Sequence, residues 1–186
     1  MRRVRVRSVR LGLIFAVAVA SCGGRRPLPG RTVTVGCDRS VWLPGGRQQS
    51  GVPDPRRSGY PPDDFAVIGG LAFAGLAPGA FSPAVGVAKV RVTVMGHQAV
   101  RLSVAQGSLR DASLLYDRDN HRPLPYRVPD GEATVTFRPC PTAEFTAFAG
   151  GFILPGPRCV TVRVEMPGRA RSMTRRLAVG VSANRC

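Results

Sequence analysis

The side chains able to do chemistry are few and scattered. Histidine occurs twice, at His97 and His121. His97 sits in the turn-forming run Gly96-His97-Gln98, and His121 in the polar stretch 117–125. Neither has a serine or an acid beside it in a nucleophile motif, and G-x-S-x-G is absent. A triad assembles in space, so a hydrolase would need a pocket that joins a histidine to a serine and an acid. Asp117, Asp119 and Asn120 begin like a calcium loop, but His121 and Arg122 stand where a further oxygen ligand and the glycine should be. Asp63 and Asp64 are adjacent, so on a strand their carboxylates point to opposite faces. Met95-Gly96-His97 offers one thioether and one imidazole, half of a copper site, and no second half accompanies it. Gly69-Gly70 and Gly150-Gly151 precede no helix start, so they read as bends rather than phosphate loops. No catalytic residue, metal site or cofactor is expected from these residues.

Cysteine carries more information. The five stand at 22, 37, 140, 159 and 186. Cys22 closes Val19-Ala20-Ser21-Cys22, the aliphatic-small-small-Cys pattern of a bacterial lipobox. At such a motif the thiol is acylated and the cysteine becomes the new N-terminus. Residues 11–20 are an unbroken apolar run, preceded by Arg2, Arg3, Arg5, Arg7 and Arg10 and no acid. That is the architecture of a secretory leader, 1–21. Ten apolar residues are too short to span a bilayer core of about 30 Å. Ala18-Val19-Ala20 also fits an ordinary signal-peptidase site, which would give plain secretion. If Cys22 carries lipid, four cysteines remain, a number suited to two disulfides in an oxidising compartment. No two lie as close as zinc pairs require. Four cysteines allow three connectivities. Cys140 and Cys159 flank a Gly-rich segment, and Cys37 and Cys186 lie at the two ends of the domain. The expected pairs are Cys140–Cys159 and Cys37–Cys186.

Charge points to a second class of partner. The chain carries 27 basic and 11 acidic residues, a formal charge of +16. Lys89 is the single lysine, an arginine excess that GC-rich codon usage produces by itself. The functional alternative is contact with an anionic wall polymer or lipid through Arg91, Arg101, Arg163, Arg175 and Arg176. It requires those arginines to share one sheet. Nucleic acid is not an expected partner: no recognition helix or aromatic-basic strand is present, and the leader points out of the cytoplasm.

The elements that must position these residues read as strands. Residues 22–62 are rich in Pro, Gly and Arg, as a tether is. Within them, 31–43 alternates up to Cys37 and holds Trp42, so it reads as an extended segment docked on the domain, leaving 22–30 as the tether proper. From 63 onward strand follows strand. Val90, Val92 and Val94 alternate with Lys89, Arg91 and Thr93. Val100, Leu102 and Val104 follow a tight turn, which predicts a hairpin. Val135 and Phe137 alternate inward, as do Val160, Val162 and Val164, and then Leu177, Val179 and Val181. About eight strands and no amphipathic helix predict an all-β, antiparallel, immunoglobulin-like β-sandwich over 63–186, stapled by disulfides.

The chain also resembles a group of exported actinobacterial proteins. The resemblance rests on Val135-Thr136-Phe137-Arg138-Pro139-Cys140-Pro141, on Phe148-Ala149-Gly150-Gly151-Phe152-Ile153-Leu154-Pro155-Gly156-Pro157-Arg158-Cys159, and on a closing Gly180 and Cys186. Trp42-Leu43-Pro44 and the segment 65–75 fit the same pattern. It implies export and a cysteine-stapled domain and supplies no activity. The expectation is a non-enzymatic protein, lipid-anchored on the outer face of the cell membrane, binding an envelope protein or a wall polymer.

Overall fold

The computed structural model describes residues 29–41, 54–57, 59–117, 123–168 and 171–186. The leader, Cys22, Trp42 and His121 lie outside these residues, as do Asp119 and Asn120. Among the described residues no helix is long and apolar enough to cross a membrane.

Among the described residues the fold is all-β, with only single 3-10 turns besides its strands. The strands are β1 (Arg31–Val35), β2 (Phe65–Ile68), β3 (Leu71–Ala74), β4 (Phe81–Ser82), β5 (Val87–Lys89), β6 (Arg91–Met95), β7 (Val100–Val104), β8 (Ser113–Leu115), β9 (Glu132–Phe137), β10 (Phe145–Phe148), β11 (Gly151–Ile153), β12 (Arg158–Glu165) and β13 (Met173–Val179). They form two sheets. The larger runs β13-β12-β7-β9-β8-β11-β5-β4, with β1 joined to β9, and the smaller runs β10-β6-β3-β2. All pairings are antiparallel except β1 with β9, which is parallel. Among the described residues thirteen short strands replace the eight expected: three runs that read as one strand are cut in two, and β1 and β4 are additional.

The cuts come at bends that the hydrophobic pattern passes through unbroken. Residues 87–95 read as one alternating strand. In the fold, β5 belongs to the large sheet and β6 to the small one, with Val90 fully buried at the corner between them. Its neighbour turns in step: β10 is in the small sheet and β11 in the large, joined through Ala149-Gly150. The two chains stay paired around the corner, where the Val90 N–H donates to the Gly150 carbonyl at 3.0 Å. Strands that switch sheets at such corners are a known way to close a sandwich. Residues 65–76 are likewise a hairpin, β2–β3, turned by Gly69-Gly70 with Gly69 at φ +60°.

The expected β6–β7 hairpin does not form. β6 pairs with β3 and β10, whereas β7 pairs with β9 and β12, so the Gly96-His97-Gln98 turn arches from one sheet to the other. Both strands turn their valines inward, and both bury them better against an opposing layer than against each other.

The core lies between the sheets. Leu71, Phe73, Val92, Val94 and Phe148 from the small sheet meet residues such as Leu102, Val135, Phe137 and Val162 from the large one, all at or below 1% exposure. Phe137 and Phe148 touch across the layers with ring centres 5.1 Å apart. Each large buried side chain of this kind stabilises the fold by roughly 1.5–3 kcal/mol.

The disulfides correct the expected pairing. They are Cys37–Cys140 and Cys159–Cys186. The parallel register sets Val35 beside Phe137, so the chain just past β1 and the chain just past β9 leave the sheet at the same end. Cys37 and Cys140 then fall 4.7 Å apart at Cα. Cys159 lies on β12 opposite Ala178 of β13, and the 3-10 turn Ala183–Arg185 folds the chain end back onto it. Cys140 and Cys159 flank β10 and β11, but those strands turn from one sheet to the other, so the two cysteines form no local clasp.

Candidate functional site: a tyrosine-lined cavity at the sheet-switching corner

The arginines singled out in the sequence do not form one patch. Arg101, Arg163 and Arg176 share the outer face of the large sheet, as their registers require. Glu165 lies among them, 3.6 Å from Arg101 and 2.8 Å from Arg163. Arg175 is exposed on the opposite face of β13, level with Val162. Arg91 belongs to the small sheet and is half-buried. Its guanidinium lies over the Tyr60 ring, 5.6 Å from the centroid, and donates to the Tyr60 hydroxyl. The requirement of one shared sheet is not met.

The remaining candidates are dispersed as well. His97 lies in the β6–β7 arch and lines none of the three cavities described below. Met95 sulfur accepts a contact from the Arg56 guanidinium at 3.6 Å. Asp63 is exposed, while Asp64 is half-buried and its Oδ1 accepts the Ala77 N–H at 3.0 Å. Among the described residues, no three His, Cys, Asp or Glu side chains cluster as metal ligands.

A different constellation gathers at the corner where β5 becomes β6. A cavity of about 780 Å³ opens there. All three tyrosines of the chain, Tyr60, Tyr116 and Tyr126, line it, and so does its single lysine, Lys89. Val85, Val87, Val90 and Leu115 supply apolar wall, and Asp64, Arg91 and Asp117 the remaining charges.

Local structure explains each position. Lys89 ends β5 and Arg91 begins β6, so the corner sets both at the cavity. Tyr126 is fixed by its N–H, which donates to the Val85 carbonyl at 2.9 Å. Gly86 makes that approach possible, at φ +74° with a Cβ position only 2.5 Å from the Tyr126 carbonyl oxygen. Tyr60 stacks on Phe65, centroids 5.8 Å apart and 6° from parallel. Tyr116 is buried; its hydroxyl donates to the Val90 carbonyl at 2.9 Å, and its ring meets Phe137 edge-on. A Cβ at Gly150 would stand 2.3 Å from the Tyr116 ring, so a bare backbone is required there.

Behind Tyr116 lies a buried acid. Glu132, first residue of β9, is fully enclosed. Its Oε2 accepts the Tyr116 N–H at 3.2 Å, while Oε1 has no hydrogen-bond partner in the protein, and neither has the buried Ser113 hydroxyl. Burial pushes the Glu132 carboxyl up to about 7; the Tyr116 N–H and the Arg31 charge oppose the rise, and the Asp117 charge adds to it. The Tyr116 phenol is raised too, first by burial and then by Glu132. Arg31 and Asp117 form an ion pair at 2.7 Å above this group. A smaller cavity of about 380 Å³, bounded by β1 and the turn after it, meets the first at Tyr116 and Asp117. A third, of about 370 Å³, lies beside Arg101, Arg163 and Glu165.

Sequence reasoning placed Lys89 on a strand face and gave the tyrosines no role. The available signal was rarity: one lysine against an arginine excess, and three tyrosines, all converging on one cavity.

No family model matches the chain, and no curated protein and no solved structure matches it either.

Proposed function

We propose that this is an exported envelope protein, anchored to the outer face of the membrane by lipid on Cys22, whose sandwich is a binding module. The observation that carries the proposal is the cysteine pairing. Two disulfides use four of the five cysteines, and the fifth is the one that closes the lipobox. Disulfide stapling fits an oxidising compartment, and acylation gives the remaining thiol a use. The Arg-rich, apolar leader and the resemblance to exported actinobacterial proteins point the same way. Binding, rather than a reaction, is the reading favoured by a cavity whose wall is rings and hydrocarbon with a few charged groups at its edge. The partner belongs to the envelope, as a protein, a wall polymer or a small molecule.

Anchoring would hold the domain close to its membrane. Eight residues lie between Cys22 and β1 at Arg31, and the nine Cα–Cα steps, fully extended, reach about 30 Å. The partner would therefore be met at or just above the lipid surface.

Intact mass of the protein extracted from membranes tests the proposal. The expected species begins at Cys22, carries a diacylglyceryl-type increment and has no alkylatable thiol. The variant Cys22→Ser should leave the membrane fraction. A wild-type chain that begins at Ser21, is soluble and has a free thiol would refute the anchor.

A further inference from the structure

We propose that the corner cavity binds a small amphiphilic anion: a flat aromatic or apolar body bearing one acidic group that pairs with Lys89. This rests on the binding half of the preceding reading and is independent of the anchor.

The volume, about 780 Å³, falls within the range of roughly 300–1,000 Å³ that encloses small ligands. The wall decides the body of the ligand. Tyrosine rings and valine side chains offer dispersion contact and ring stacking, but few hydrogen-bond partners. A sugar would leave many hydroxyls unpaired against such a wall, at a cost for each. A flat hydrocarbon or aromatic body would not.

The charges decide the head. Both carboxylates at the wall are already engaged. Asp117 holds Arg31 at 2.7 Å, and Asp64 Oδ1 accepts the Ala77 N–H. Arg91 is held against Tyr60, yet its Nε is buried without an acceptor. The Lys89 side chain makes no ion pair or hydrogen bond among the described residues and is exposed at the cavity. Arg31 offsets Asp117, and Lys89 and Arg91 outnumber the one remaining carboxylate, Asp64, so the cavity favours a negative group. Position adds to this: Lys89 and Arg91 flank the corner at Val90 and present two positive charges from adjacent strand ends.

The test uses a pair of probes that differ only in charge. 8-Anilinonaphthalene-1-sulfonate has an aromatic body and one sulfonate, and N-phenyl-1-naphthylamine is its uncharged parent. The protein is the exported full chain carrying Cys22→Ser, which removes the acylation site and so makes the test independent of the anchor. Fluorescence titration should show one saturable site per chain, with the sulfonate bound at least about tenfold more tightly than the parent, as one charge-assisted hydrogen bond requires. Lys89→Ala should weaken the sulfonate about tenfold and leave the parent within twofold. Lys89→Arg should restore most of the loss. Tyr126→Ala should weaken both probes. Arg110→Ala, a cation outside the cavity wall, should change neither, which separates the site from diffuse attraction by a basic surface. Near-ultraviolet circular dichroism verifies that each variant is folded. Equal affinities for the two probes, many weak sites, or a Lys89→Ala variant that binds the sulfonate as the parent chain does would each overturn the proposal. A membrane-bound wild type with no probe binding would refute this inference and leave the anchor standing.

Discussion

Glu132 is a fully buried acid, and its neighbours say what form it takes. Arg31 faces it from β1, and Asp117 and Tyr116 from the end of β8, yet one carboxylate oxygen has no protein partner. Its folded pKa is raised from 4.5 to about 7. The sign follows from which state holds the proton. Below the unfolded pKa both states are protonated and there is no penalty. Between 4.5 and about 7 the unfolded chain ionises first, so stability falls as pH rises. Above the folded value the loss is constant, at about 3 kcal/mol for a shift of this size. Glu132→Gln removes the titration. Urea unfolding at pH 4 and pH 8 should therefore show the variant gaining on the wild type at the higher pH, by up to about 3 kcal/mol. An identical difference at both pH values would mean that the carboxyl is ionised in the fold.

Among the elements, β1 depends most on a covalent bond. It is a five-residue strand at the start of the described chain, paired in parallel with β9, and only Val35 of its residues is buried. Cys37–Cys140 fixes it across a sequence separation of 103, against 27 for Cys159–Cys186. Chain entropy makes the long closure worth about 5 kcal/mol and the short one about 3.5 kcal/mol. Replacing Cys37 and Cys140 by Ala should thus lower the denaturation midpoint more than replacing Cys159 and Cys186. Hydrogen exchange of residues 31–35 should rise only in the first variant. The opposite order would show that β1 is held by its ladder alone. The sequence made β1 visible as an extended segment, because its valines and threonines alternate, but not its partner. Parallel pairing leaves no local turn to read, so the sequence alone points Cys140 to the nearer Cys159. The corners were hidden for a related reason. Val90 faces the core on either side of the bend, so the period of two continues through β5 and β6 although they lie in different sheets. The same concealment extended to the cavity: Lys89, Tyr60, Tyr116 and Tyr126 come together only because two strands turn there.

For the whole molecule, charge and shape make different statements about partners. The formal charge is +16 for the full chain and +11 once residues 1–21, with their five arginines, are removed, and it draws any polyanion. Specific recognition would need the charges focused, and the fold disperses them. Arg101, Arg163 and Arg176 occupy one face, Arg175 the other, and Arg91 is committed to Tyr60. Glu165 then neutralises part of the one face that holds three. Attraction to polyphosphate should accordingly be the sum of many weak contacts. Titration over a range of salt should give a log–log slope that each single Arg→Ala change at 101, 163, 175 or 176 lowers by no more than about one contact's worth, close to 0.9. At about 150 mM salt, beyond a Debye length of about 8 Å, no single change should weaken binding more than about twofold. Glu165→Gln should strengthen it, because it returns charge to two arginines at once. One arginine whose loss abolishes binding would reveal a focused site on the outer sheet face and move the search for a partner from the corner cavity to that face.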